Sequence, residues 1–215
     1  MVRVYGVSHV SEESINLIRS KIEEQEPDIV ALELDAPRLN ALLTDENSSS
    51  DSIFGELIRR FQRYVGNKTG VMPGDEMIFA YEECGRKDIE VALVDQNIQI
   101  TLNRLKEVRR KEKVKAAVSI LLALVMPGKM DLKNIPSDAE IEQLLKETKD
   151  QYPGIYRVLV EERNTYMAEA LKHLQRNNAD KEIIAFVGAG HRDEVQRMID
   201  ESDLQRNLVE FTSQN

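Results

Sequence analysis

Two short stretches with the pattern Gly-x-x-His, one near each end of the chain, constrain the fold more than any other feature. The first runs from Gly6 to His9 and the second from Gly188 to His191. Each follows an apolar run with strand character and precedes an amphipathic run with a helical period. The order strand, glycine turn, helix is typical of open α/β sheets, in which ligands bind at the carboxyl ends of the strands. We therefore expect both histidines to face one cleft.

The remaining pattern predicts one α/β domain over residues 1–215, with a mixed or mostly parallel central sheet flanked by helices. Apolar runs predict strands at 2–5, 29–34, 89–94, 183–187 and 207–212. Helical periods predict helices at 12–24, 37–43, 53–64, 75–84, 98–126, 138–150, 153–175 and 193–201. Each end therefore has the order strand, Gly-x-x-His, helix, strand, which gives two βαβ-type halves. The helices at about 98–176 are predicted to form an inserted α-helical layer.

Composition narrows the class of protein. The formal net charge of −9 argues against nucleic acid as the main partner, because phosphate binding needs a cationic face. The single cysteine, Cys84, excludes an internal disulfide and fits a reducing compartment. The longest apolar run, 116–126, is shorter than the about 20 residues of a membrane span. We therefore expect a cytoplasmic protein without a transmembrane segment.

Three side chains at predicted strand ends are the first candidates for chemistry. Histidine is the commonest metal ligand and the usual general base near neutral pH, so the repeated His9 and His191 favour a functional site over structural hydrogen bonds. Glu33 interrupts an apolar strand, and burying its charge costs several kcal/mol unless the carboxylate is paired or binds a metal. The alternatives for Glu33 are an outward-facing edge position or a pair with Arg38.

Charged side chains elsewhere in the chain are further candidates. Asp95 ends a predicted strand and is a candidate for the same cleft, whereas the helix dipole alone favours an acid such as Glu76 in a first helical turn. Arg163 lies on a long helix, where it can bind a carboxylate, polarise a carbonyl or form an exposed salt bridge of little energetic value. The basic run at 104–115 is interpreted as a solvated helix face.

Six stretches together resemble the TraB/PrgY pheromone-shutdown family, which is close to the Tiki metalloproteases and more distantly related to the erythromycin-esterase/ChaN-like superfamily. They occur in the family's order and span almost the whole chain. The stretches are Gly-Val-Ser-His-Val-Ser at 6–11, Ala-Leu-Glu-Leu-Asp at 31–35 with Arg38, Gly-Asp-Glu-Met at 74–77, Val-Asp-Gln-Asn-Ile at 94–98 with Thr-Leu-Asn-Arg at 101–104, Glu-Arg-Asn at 162–164 with Met167, and Val-Gly-Ala-Gly-His at 187–191.

The resemblance implies a divalent-metal-dependent, peptidase-like hydrolase that acts on a peptide or acyl substrate. By similarity, a Mn²⁺, Co²⁺ or Zn²⁺ ion is bound by His9, Glu33 and His191, and Arg163 completes the catalytic set. The positions assigned to substrate binding are Ser8, Arg38, Glu76, Asp95, Arg104 and Asn164. In this mechanism the ion activates water and the arginine stabilises the developing oxyanion.

The chain departs from the family pattern at several cleft positions. Gln96 and Asn97 stand where the family usually has arginine and aspartate, Asn164 replaces an aspartate, and Val7 replaces a threonine. This loss of charge favours an alternative function, a weak or inactive binding module that sequesters a peptide or small ligand. A third hypothesis is an interaction scaffold, a homodimer in which the apolar run 116–126 is buried between two chains.

Overall fold

The computed structural model describes residues 2–7, 12–44, 74–125 and 138–213. Within these residues, four strands form one sheet with the spatial order β1-β4-β2-β3, and every neighbouring pair is parallel. The strands are β1 (Val2–Val7), β2 (Ile29–Leu32), β3 (Glu90–Leu93) and β4 (Ile183–Gly188). This parallel sheet confirms the predicted fold class. Because all strands of a parallel sheet have their carboxyl ends on one edge, the residues that follow the strands meet there.

Helices cover both faces of this sheet, as a parallel sheet requires. They are α1 (Glu12–Gln25), α2 (Ala36–Leu43), α3 (Asp75–Lys87), α4 (Ile98–Glu107), α5 (Arg110–Val125), α6 (Asp138–Gln151), α7 (Pro153–Tyr156), α8 (Glu162–Asn177) and α9 (Ala189–Ser213), with a π-helical segment (Arg157–Glu161) between α7 and α8. Among these described helices, none combines the length and the apolar character needed to cross a bilayer. The predicted helix at 53–64 lies outside the described residues.

Alternate side chains of β4 point to opposite faces and divide the core into two clusters. Ile183 and Ala185 pack with side chains of α8 and α9, such as Met167 and Val195. Ile184 and Phe186 pack with α1 and α3 on the other face. All six residues of β4 are buried, because this strand lies between β1 and β2 and is covered on both faces.

The predicted last strand at 207–212 is wrong, because α9 continues through this segment to Ser213. Neither glycine nor proline occurs between His191 and Ser213 to end the helix. A short, largely apolar run such as Leu-Val-Glu-Phe at 208–211 is also compatible with a helix, so hydrophobic period alone does not distinguish a strand from a helix here. The C-terminal end therefore repeats the N-terminal order only as far as strand and helix.

The predicted helix at 98–126 is two helices, α4 and α5, that separate at Val108 and Arg109. Val108 has an extended backbone (φ −60°, ψ 142°) and is buried against Ile155 and Val158. Glu112 in α5 accepts a hydrogen bond from the Ile155 amide at 2.7 Å. Packing against the segment at 153–158 thus redirects a chain whose local sequence is uniformly helical.

Candidate active site

Charged and polar side chains from four elements converge at the carboxyl edge of the sheet. Glu33 follows β2, Asp95 follows β3 after one residue, and His191 lies in the first turn of α9, directly after β4. Arg163 and Asn164 come from the first turn of α8. Helix α9 begins at Ala189 rather than at the predicted 193, so the second Gly-x-x-His motif runs from the strand directly into the helix.

Arg163 is the centre of this cluster, and all five of its N–H donors have protein acceptors. Its Nε donates to Asp95 Oδ1 at 3.0 Å, and its Nη2 donates to Asp95 Oδ2 at 2.8 Å and to Glu33 Oε1. Its Nη1 donates to the Leu159 carbonyl at 3.3 Å and to His191 Nε2 at 3.2 Å. A guanidinium has five N–H donors, so none is left for a substrate in this arrangement.

The charges of the cluster are buried and mutually compensated. The side chains of Glu33, Asp95 and Arg163 are 3%, 2% and 14% exposed. Burial by itself lowers the pKa of Arg163, but the two carboxylates raise this pKa above its ordinary value. The other carboxylate oxygen of Glu33 accepts a hydrogen bond from the Gly188 amide. An acid within an apolar strand is therefore accommodated by a cation on one side and a backbone amide on the other.

The contacts of His191 assign its tautomer. Arginine can only donate, so Nε2 accepts the hydrogen bond from Arg163 and carries the lone pair. Nδ1 consequently carries the proton and donates it to Asn164 Oδ1 at 2.6 Å. Glu33 Oε1 lies 3.7 Å from Nε2, close enough to stabilise a positively charged ring.

Asp95 is shared between two arginines, and Asp35 holds the second one in place. Arg38 Nη1 donates to Asp95 Oδ2 at 2.8 Å. Asp35 caps two helices at once, since Oδ1 accepts from the Arg38 amide at 2.7 Å and Oδ2 accepts from the Ile98 amide. The sequence analysis assigned no role to Asp35, although an acid two residues before Pro37 and at the start of a helical run is the signature of an N-cap.

Two other predicted site residues, Glu76 and Arg104, have hydrogen-bond or ion-pair partners of their own. Glu76 is buried in the first turn of α3, where it accepts from the Gly74 amide at 3.1 Å. Arg104 is exposed and pairs with Glu107 and Glu162. Ser8 and His9 lie outside the described residues, so the convergence of the two motif histidines stays a prediction.

The π-helical segment immediately before Arg163 takes part in the site, because its Leu159 carbonyl is one of the five acceptors. A π turn is rare and occurs frequently at functional sites. This segment carried no signal of its own in the sequence, since its side-chain pattern is that of an ordinary helix.

The described residues do not fit a divalent metal ion while Arg163 holds this position. They contain no group of three histidine, cysteine, aspartate or glutamate side chains arranged to bind an ion. Glu33 Oε1 and His191 Nε2, the two described atoms of the predicted ligand set, are both bound by Arg163 N–H groups. Ligand atoms lie about 2.0–2.2 Å from a metal ion, so an ion between them would press against the guanidinium.

A cavity of about 970 Å³ opens beside the cluster, between α6, α8, α9 and the end of β1. Asn164 and Gly190 belong to its lining, which connects the cavity to His191. Apolar side chains such as Leu145 and Met198 form part of its wall. Ion pairs also line it, including Lys149 with Glu161 at 2.9 Å.

A family model and proteins of several organisms match this chain. A model of the TraB/PrgY/gumN family matches residues 2–203. An uncharacterized protein of Methanocaldococcus jannaschii is 30% identical over 219 residues, which cover 92% of this chain and 53% of that protein. TraB domain-containing proteins of Bos taurus and Homo sapiens are 24% and 23% identical over 226 residues, covering 88% of this chain and 60% of each protein. The chain thus spans between half and three-fifths of the length of these relatives.

One solved structure resembles the fold weakly. An erythromycin esterase mutant in its open conformation matches with a TM-score of 0.37 and 16% sequence identity, over 87% of this chain and 60% of that chain. A TM-score of this size carries no argument about function.

Proposed function

The chain belongs to the TraB/PrgY/gumN family, and we propose that it is a hydrolase of peptide or acyl substrates whose active site is the cluster around Arg163. The observation that carries the proposal is the pairing of a tautomer-fixed, neutral imidazole with buried charges next to a cavity. Buried ion pairs are weak sources of stability, because desolvation offsets much of their attraction. Their concentration at the ligand-binding edge of a parallel sheet therefore favours a catalytic purpose.

In the proposed mechanism His191 is the general base. A water molecule that enters from the cavity inserts between Arg163 and His191, where it accepts from Arg163 Nη1 in place of the ring and donates to the Nε2 lone pair. As the water attacks a carbonyl carbon, His191 takes its proton, and Glu33 stabilises the resulting imidazolium. When the tetrahedral intermediate collapses, the bond to the leaving amine or alcohol breaks, and the imidazolium returns this proton to the leaving nitrogen or oxygen. Asn164 keeps the ring oriented through Nδ1 in both charge states. Arg163 stabilises the developing negative charge through its own fixed charge rather than through a free N–H group.

His191→Gln tests this assignment. Purified protein is assayed with libraries of fluorogenic peptides and p-nitrophenyl acyl esters. Loss of the base is expected to lower kcat by about 10²–10⁴-fold. His173→Gln is the matched control, because His173 lies exposed on α8 and contacts Asn177. The assignment is overturned if neither library is hydrolysed or if His191→Gln retains the activity of the control.

Metal dependence is a separate part of the family resemblance and stays a prediction. It is measured in the same assay after chelation and after adding back Mn²⁺, Co²⁺ or Zn²⁺. If His9 completes a metal site, we expect one of these ions to restore hydrolytic activity. We also expect the protein to bind that ion and His9→Ala to weaken the binding. Unchanged activity after chelation would contradict the prediction and leave the imidazole mechanism intact.

The alternative function, a binding module that sequesters its ligand, is favoured by one observation. Arg163 has no N–H donor left for a transition state, and the uncharged Asn164 orients the histidine. Tight binding of a peptide by wild-type protein, without turnover over days, would favour this alternative over hydrolysis.

A further inference from the structure

We propose that the side-chain amide of Asn164 binds the carbonyl oxygen of the substrate inside the 970 Å³ cavity, while its oxygen orients His191. This inference rests on the proposed function, since it names the atom that recognises an amide or ester substrate. The family resemblance implies that Arg163 stabilises the developing oxyanion, whereas here the hydrogen bond to that oxygen comes from Asn164.

Within the described residues, the side chain of Asn164 forms a hydrogen bond through its oxygen but not through its nitrogen. Its side chain is almost fully buried, with 2% of the residue exposed. Oδ1 is occupied by His191, whereas the two N–H donors of Nδ2 have no acceptor among the residues that the structure describes. Buried donors are paired in the great majority of cases, so an unpaired one needs an explanation. Because Asn164 lines the cavity, an acceptor atom of a bound molecule supplies the missing partner.

A second set of donors lines the same cavity. Ala189 and Gly190 are the first two residues of the 25-residue helix α9, and both belong to the lining. The amides of a first helical turn have no acceptor within their helix. Together with Asn164 Nδ2 they bring several N–H donors to the same cavity, and donors of this kind can stabilise a developing oxyanion.

The charges of the lining favour a neutral acceptor over an anion. The bases of the lining are all engaged by acids of the same lining: Lys149 with Glu161, Arg192 with Asp193, and Arg197 with Glu194. Glu142 adds a further acid, so the cavity has no excess of positive charge. A carbonyl oxygen of an amide or ester is therefore a better match than a carboxylate or a phosphate.

Arg163 is excluded from this role by its own contacts. All five of its donors are bound within the cluster, so a hydrogen bond to the substrate would require breaking one that already exists. Arg38 has unused donors within the described part of the chain, but it does not belong to the lining of the cavity.

Asn164 has two proposed roles, orienting His191 through Oδ1 and binding the substrate through Nδ2. To test the second role, wild-type protein is titrated with N-acetyl-alanyl-alanine amide, and the side-chain amide signals are followed by NMR. The Asn164 signal is identified by its loss in Asn164→Asp. We expect this signal to shift with the peptide amide and to shift much less with acetate. An Asn164 signal that stays in place while backbone signals of Ala189 and Gly190 shift would overturn the proposal.

Asn164→Asp provides a second measurement, because it keeps an oxygen for His191 Nδ1 and removes both N–H donors. We expect affinity for the peptide amide to fall about tenfold, and the pKa of His191 to rise, since the new carboxylate stabilises the imidazolium. Asn177→Asp is the matched control, as it makes the same change beside His173 on the exposed side of α8. Equal affinity of Asn164→Asp and the control would refute the assignment.

The two proposals fail in different ways. If the peptide amide binds through Asn164 but is not turned over, the proposed hydrolase function is rejected and the proposed binding site is retained. Turnover with undiminished affinity in Asn164→Asp rejects the binding role and retains the hydrolase.

Discussion

Arg163 stands where two buried carboxylates and an imidazole meet, so one side chain contacts all three. The second positive charge that offsets the two carboxylates comes from Arg38, which also pairs with Asp95. The sequence identified Glu33, Asp95 and His191 as strand-end candidates, because the carboxyl edge of a parallel sheet follows from the order of elements. The five acceptors of Arg163 could not be predicted, since they lie up to 130 residues from Arg163 in the sequence and only tertiary folding brings them together. The same applies to Asp35, whose second helix cap lies 63 residues further along the chain.

Arg163→Met is expected to lower the free energy of unfolding by about 3–5 kcal/mol, because it leaves Glu33 buried without its cation and Asp95 with only the partly exposed Arg38. Urea denaturation at pH 7 measures the change. The control Arg104→Met removes an exposed arginine with surface partners and should cost less than about 1 kcal/mol. Equal stabilities of the two variants would show that the cluster is hydrated rather than buried.

Among the elements, the strands and most helices were predictable because hydrophobic period reports burial directly. The predictions of secondary structure were wrong where tertiary packing, and not the local sequence, determines the conformation. Val108 leaves the helical conformation to pack against Ile155 and Val158, and no residue in its neighbourhood signals this break. The segment 207–212 is apolar enough for a strand, yet it continues α9 because the helix meets no terminating residue.

A series of glycine-to-alanine variants tests how closely the elements approach one another. At Gly6 a new Cβ would lie 3.2 Å from the Ala189 Cα, so β1 and α9 must separate, and we expect a loss of about 1–3 kcal/mol. At Gly85, in α3, no atom lies within 4 Å of the new Cβ, and a gain of up to about 1 kcal/mol is expected from helix propensity.

Gly190→Ala is the intermediate case of this series. Its Cβ would touch Leu145 Cδ2 at 3.4 Å, an ordinary contact, so stability should change little while the cavity narrows. Urea denaturation of all three variants gives the order of stabilities. A Gly6→Ala variant as stable as Gly85→Ala would contradict the close packing of β1 on α9.

At the scale of the molecule, the last strand in sequence lies inside the sheet. β4 pairs with β1 on one side, where Val2 is opposite Ile183, and with β2 on the other, where Ile29 is opposite the same residue. The sequence indicated a buried strand at 183–187 through its continuous apolar run. It did not indicate the order of strands, because spatial neighbours of parallel strands are set by long-range pairing rather than by local pattern.

Amide hydrogen exchange should be slowest in β4 and faster in β3. β4 is completely buried between two strands, whereas β3 forms an edge and its first residue, Glu90, is exposed. Native-state exchange followed by NMR or mass spectrometry measures the difference. Exchange in β4 as fast as in β3 would mean that the sheet opens at its centre.

The central position of β4 in the sheet also affects how the protein folds during translation. As a ribosome releases the chain, β1, β2, β3 and Arg163 emerge well before residues 183–191. Until then β1 and β2 lack their common neighbour, and Glu33 lacks the amide of Gly188. A nascent chain thus holds most side chains of the cluster without the strand that arranges them, so we expect the cluster to assemble only after residues 183–191 have left the ribosome.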